Sequence, residues 1–114
     1  MMVASVDRAD ALFHALSDRT RRDILSRVLA GEQSVTHLAA KYEMSFAAVQ
    51  KHVAVLERAG LLVKRRSGRE QLARGDVSAI RSVAAMLDQF EAIWRGRIDR
   101  IDDLLADRPT TKEN

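Results

Sequence analysis

A mostly α-helical chain with one small β-hairpin is the fold class this sequence predicts, and three observations predict it. Apolar residues recur at three- and four-residue steps over most of the 114 positions. One short β-prone run, Leu61-Leu62-Val63, is followed by basic residues and a Ser67-Gly68 turn signal. Aromatics make up 4% of the chain against 46% hydrophobic residues, so the interior has to be built from Leu, Ile, Val, Ala and Met.

The elements follow in order. Ala9, Leu12, Phe13 and Leu16 mark a first helix, with Ser5 as its N-cap. Ser17 and Asp18 interrupt it and cap a second helix, which carries Ile24, Leu25, Val28 and Leu29 as its apolar face and stops at Gly31. Ser34 caps a short third helix with Val35, Leu38 and Ala39 on its apolar side. After a tight turn at Tyr42, Glu43 and Met44, a fourth helix runs from Ser45 to Ala59, with Val49, His52, Val53 and Leu56 on one stripe. Gly60 suits a left-handed termination. A basic hairpin comes next, with a short return strand from Glu70 to Ala73. The last helix is the longest, about Val77 to Ala106, and Ile80, Val83, Leu87, Phe90, Trp94, Ile98, Ile101 and Leu105 form a seam along it. Such a seam demands a partner surface. The length fits a single domain, residues 1–108, followed by a disordered tail over residues 109–114.

The formal net charge of +3 is weak evidence, but its distribution is informative. Lys41, Lys51, Arg58, Lys64, Arg65, Arg66, Arg69 and Arg74 face only Glu43, Glu57 and Glu70 in the same stretch, whereas acids recover along the last helix. One basic region beside a balanced one is what a protein shows when part of it meets phosphates. With no cysteine, disulfides, thiolate metal sites and thiol redox sensing are excluded. The N-terminal stretch is interrupted by Asp7, Arg8, Asp10 and His14, and no uncharged apolar run approaches a membrane span, so a cytoplasmic location is expected.

Two helices joined by a short turn, the second opening with small polar residues, describe a helix-turn-helix; a basic hairpin after it makes the motif winged. With Val49, Val53 and Leu56 inward, Ser45, Phe46, Ala47, Gln50 and Lys51 fall on the outer surface. Gln50 has the geometry to bond an adenine edge, Lys51 reaches a guanine or a phosphate, and the first-turn amides with Ser45 suit a phosphate. In the hairpin, Arg65, Arg66 and Arg69 are expected at phosphates or in a minor groove.

The segment from Leu16 to Leu25 (LSDRTRRDIL), the segment from Ser45 to Leu62 (SFAAVQKHVAVLERAGLL) and the Ser67-Gly68-Arg69 turn together resemble the ArsR family of bacterial repressors, over about Ala9 to Leu105. The resemblance implies a winged-helix homodimer that occupies an inverted-repeat operator on double-stranded DNA, often at its own promoter. Leu12, Phe13, Leu16, Val83, Leu87, Phe90, Trp94 and Ile101 are the expected pairing surface, holding two recognition helices about 34 Å apart. The chain departs from the family pattern in three places: Arg19 stands where proline is usual, Leu72 and Ala73 replace tyrosines of the return strand, and Gly75 replaces an apolar residue.

Many members of that family bind metals, but no metal or cofactor is expected here. Ser34 and Thr36 occupy the positions where arsenic- and cadmium-type members carry cysteines, and no histidine follows His52. His14, His37 and His52 show no ligand spacing, and His52 reads as a packing and hydrogen-bonding residue. Asp99, Asp102 and Asp103 read as solvated. The stretch from Phe90 to Ile101 (FEAIWRGRIDRI) resembles instead a metal-free branch, whose effector this sequence does not name. No enzyme motif is visible. Two other readings stay open: a winged-helix module that binds protein, and a sensor responding to an unidentified ligand.

Overall fold

The computed structural model describes the backbone of residues 2–113 and the side chains of residues 7–106. Among them the elements run α1 (Met2–Leu16), α2 (Arg19–Ala30), β1 (Gln33–Ser34), α3 (Val35–Ala39), α4 (Phe46–Arg58), β2 (Leu62–Ser67), β3 (Glu70–Gly75) and α5 (Val77–Glu113). Contacts divide the chain into Met1–Val83 and Ala84–Asn114, the division falling within α5.

Three helix starts are written in the sequence as side-chain caps. The Asp18 carboxylate accepts the Arg21 N–H, Ser34 Oγ the His37 N–H, and Ser45 Oγ the Ala48 N–H, each at 3.0–3.1 Å. Every one satisfies an amide that has no partner inside its helix. Arg19 takes the first helical position of α2, directly after the Asp18 cap. Ser5, expected to cap α1, is among the residues whose side chains lie outside the described set.

The core of the first unit is aliphatic. Ile24, Leu25 and Val28 of α2, Val35 and Leu38 of α3, and Val49, Val53 and Leu56 of α4 close on Leu61, Leu62 and Ala73, with Leu12 and Ala15 from α1 and Val83 from α5. No polar or charged residue is buried among them.

The sheet is three-stranded, in the order β1-β3-β2, and antiparallel throughout. β1 was not visible in the sequence: it is two residues long, and Gln33 and Ser34 pair with Ala73 and Leu72. The return strand β3 runs two residues further than expected, to Gly75. Its extension has a steric reason. A Cβ on Gly75 would overlap the Leu29 side chain and approach Leu29 Cα to 3.0 Å, so glycine lets the strand pass close beneath α2. Gly68 takes φ +63° as the first of two turn residues, and among the described residues no non-glycine residue has a positive φ; this is the arrangement of a type II′ hairpin. Gly60 takes φ +82° after α4, as its place in the sequence predicts. Gly31, by contrast, ends α2 with extended backbone, φ 177°.

In the second unit α5 continues as helix through Glu113, beyond the expected end at Ala106. The expected tail, residues 109–114, has its side chains outside the described set. Leu87, Phe90, Ile93, Trp94, Ile101 and Leu105 are all exposed on this helix, Phe90 by 59% and Trp94 by 56%.

Candidate nucleic-acid interface

Val49, Val53 and Leu56 anchor α4 by one stripe, and the opposite face is left to solvent, with Phe46, Ala47, Gln50 and Lys51 all exposed. The Ser45 hydroxyl is spent as an acceptor on the Ala48 N–H, which leaves its proton to donate outward. The start of α4 thus gathers unpaired amides, one hydroxyl donor and the positive end of a thirteen-residue helix.

A cleft of about 270 Å³ runs between α3, α4 and the hairpin, lined by Val35, Thr36, Phe46, Gln50, Val53, Lys64, Arg69 and Gln71. It brings Phe46 and Gln50 of α4 together with Arg69 of the hairpin. Thr36 and Gln71 are additions that sequence reasoning missed as part of this site; they reach it only through the packing of α3 and the pairing of β2 with β3, and Lys64 of the basic run joins them. Lys64 is held at 3.4 Å from Glu57 of α4, which ties the hairpin to the helix.

Strand register separates the two neighbouring arginines. Pairing of Lys64 with Ala73, Arg65 with Leu72 and Arg66 with Gln71 puts Leu62, Lys64, Arg66, Gln71 and Ala73 on one face of the hairpin, the face that includes cleft residues. Arg65 lies on the other face. There its guanidinium grips Glu32 with two bonds of 2.8 Å, and those bonds hold the Glu32 carboxyl below the usual range. Arg66 and Arg69 are exposed and make no ion pair among the described residues.

Two polar clusters fix α4 in place. Arg21 donates through Nε to the Ala15 carbonyl (2.8 Å), through Nη2 to the His14 carbonyl (3.0 Å) and through Nη1 to His52 Nδ1 (3.3 Å), while Arg22 donates to the Leu16 carbonyl (2.8 Å). The paired arginines therefore satisfy the last carbonyls of α1 and join its end to the recognition helix. His52 has the packing and bonding role expected of it, with Asp18 a further 3.9 Å away. Accepting the Arg21 N–H is the main reason the Asp18 carboxyl lies below its ordinary range. In the second cluster Tyr42, in the turn before α4, donates its hydroxyl to Asp23, which also pairs with Arg27 at 3.0 Å. The Tyr42 hydroxyl and then Arg27 hold the Asp23 carboxyl low; burial first, then the bond to Asp23, pushes the Tyr42 phenol up to about 12.

Of the residues expected to pair subunits, Leu12 and Val83 are consumed by the first unit's own core, at 3% and 8% exposure. Leu16 is half-buried against the same core. Phe13, Leu87, Phe90, Trp94 and Ile101 stay exposed. The Ser34 hydroxyl is engaged as a helix cap, and among the described residues no three His, Asp or Glu side chains group as a metal site. No helix among them is long and apolar enough to cross a membrane.

A helix-turn-helix whose second helix shares a cleft with an arginine-tipped hairpin defines a winged helix-turn-helix of the nucleic-acid-binding class. Comparison with known proteins agrees. Residues 16–65 match a helix-turn-helix domain model. The HTH-type transcriptional regulator Rv2034 of Mycobacterium tuberculosis is 33% identical over 81 residues, 71% of this chain and 76% of that protein. An ArsR-like transcriptional regulator from Rhodococcus sp. RHA1 superposes with a TM-score of 0.78 at 30% identity, covering 89% of this chain and 95% of that one. At 24% identity a possible ArsR-family regulator from Mycobacterium bovis, solved as a homodimeric winged helix-turn-helix DNA-binding domain, shares the fold with a TM-score of 0.65 over 78% of this chain and 83% of that one. The chain belongs to the ArsR family of transcriptional regulators.

Proposed function

We propose that this protein is a transcriptional repressor that binds an inverted-repeat operator in double-stranded DNA as a homodimer, acting in the cytoplasm and at its own promoter among others. The observation that carries the reading is the cleft joining Gln50 of α4 to Arg69 of the hairpin beside unpaired Lys51 and Arg66. In it Gln50 reads an adenine edge in the major groove, and Ser45, Ala47 and Lys51 sit against the backbone at the helix start. Arg66 and Arg69 take phosphates or the adjoining minor groove. We assign Arg65 to holding the hairpin through Glu32, so it drops from the contact set.

Exposed Phe13 on α1 and the apolar stripe on α5 are the surfaces assigned to pairing with a second copy; large exposed apolar side chains spaced along one helix mark an interaction site. The M. bovis domain of the same fold is homodimeric, which is in keeping with pairing as such. Residues 1–108 then work as a single functional domain and residues 109–114 as a tail without a part in binding. Selection of bound duplexes from a random pool tests the whole reading. A recovered palindrome with half-sites about one helical turn apart is expected; recovery of no sequence preference at low salt would sink it.

A further inference from the structure

We propose that Phe46 reads the 5-methyl group of a thymine, one or two base pairs from the adenine assigned to Gln50, and so fixes a second position of each half-site. The proposal rests on the DNA-binding reading above and adds a specificity-determining residue to it. Phe46 is the first residue of α4 after its cap and is 46% exposed. Its ring takes no part in the core cluster, yet it forms a wall of the cleft whose rim is otherwise polar: Thr36, Gln50, Arg69 and Gln71. A phenyl ring has no hydrogen bond to offer a base edge or a phosphate. Among the groups that a major groove presents, the thymine 5-methyl is the apolar one, and aromatic side chains are suited to it. A wedge between base steps is the other use of such a ring, but wedges act from the minor groove, whereas a recognition helix enters the major groove.

Spacing sets the position. Phe46 and Gln50 stand four residues apart on one helix face, with Cβ atoms about 5–6 Å apart. Successive base pairs are about 3.4 Å apart, so the two side chains meet base pairs one or two steps from each other. Helical side chains lean toward the N-terminus, which carries the ring out over the cap at the leading end of α4.

Replacing thymine by uracil removes the methyl and leaves every hydrogen-bonding group and the base pairing unchanged, so it isolates this contact. In the selected duplex, thymines are replaced by uracil one position at a time, and affinity is read by fluorescence anisotropy at fixed salt. One thymine per half-site is expected to matter, by about fourfold for one half-site and about fifteenfold for both, the scale of burying one methyl. Phe46→Ala is expected to weaken binding to the thymine duplex by a similar factor and to abolish the thymine–uracil difference, Phe46→Leu to keep most of it, and Gln50→Ala to retain it. Wild-type protein that binds all uracil duplexes as tightly as the thymine duplex overturns the proposal while leaving the DNA reading intact, as does Phe46→Ala that still discriminates. Failure to select any duplex removes the DNA reading and this inference together.

Discussion

Gln50 is the residue on which sequence preference is expected to turn, because it alone among the exposed residues in the N-terminal part of α4, Phe46, Ala47, Gln50 and Lys51, carries both a donor and an acceptor on one planar group. Gln50→Ala is expected to cost ~1–3 kcal/mol at the adenine position and little elsewhere, read by titrating operator and single-base variants. The arginines divide differently. Arg69→Ala is expected to weaken binding to all sequences alike and to lower the slope of log affinity against log salt by about 1. Arg65→Ala is expected to leave that slope unchanged, since its guanidinium is already neutralised by Glu32. An equal loss of slope in both variants would return Arg65 to the contact set. Here the limit of sequence reading is plain: Arg65 and Arg66 are identical neighbours in a charge run, and only the register of β2 against β3 sends one to each face.

At the scale of elements, the position of α4 depends on the arginines of α2 as much as on its own apolar stripe. Arg21→Met removes bonds to two terminal carbonyls of α1 and to His52, and is expected to lower stability by ~1–3 kcal/mol in denaturant titrations. Two carboxylates of this region predict an acid response. Folding lowers the carboxyl pKa of Asp18 and Asp23, so the native chain binds fewer protons at these sites than the unfolded one. Their contribution is complete above the ordinary aspartate value near ~3.9 and is lost as pH falls through the lowered native values. The melting temperature is expected to drop below about pH 4, and to drop less steeply in Asp18→Asn and Asp23→Asn. Gly75→Ala forces a methyl against Leu29 and is expected to cost ~1–3 kcal/mol, with the hairpin losing amide-exchange protection first. This glycine stands where the family commonly carries an apolar residue, and its reason lies in a helix 46 residues earlier in the chain, so no local pattern announces it.

For the whole molecule, the exposed stripe on α5 has to find cover. Trp94→Ala and Leu87→Asp are expected to shift the protein toward monomer in sedimentation experiments and to remove the concentration dependence of its melting temperature. Wild-type protein that sediments as a monomer at high concentration would count against pairing through this helix. Leu12 and Val83 belong to the same periodic pattern as the pairing residues, yet they are spent inside the first unit. Helical spacing says that a face is apolar; it does not say which neighbour covers it.

What the amino-acid order determined by itself is what depends on near neighbours: the helices and their Asp18, Ser34 and Ser45 caps, the inward stripe of α4, the left-handed Gly60, the hairpin turn at Gly68, and hence the outward face carrying Gln50 and Lys51. Those signals arise within a turn or two of chain, where spacing and side-chain chemistry act directly. Tertiary structure decided the partition of Arg65 from Arg66, the two-residue strand β1, the joining of Thr36 and Gln71 to the cleft, and the use of Arg21 to hold α1 to the recognition helix. Each of these depends on residues far apart in sequence meeting in one register, and a pairing of that kind leaves no local trace to read.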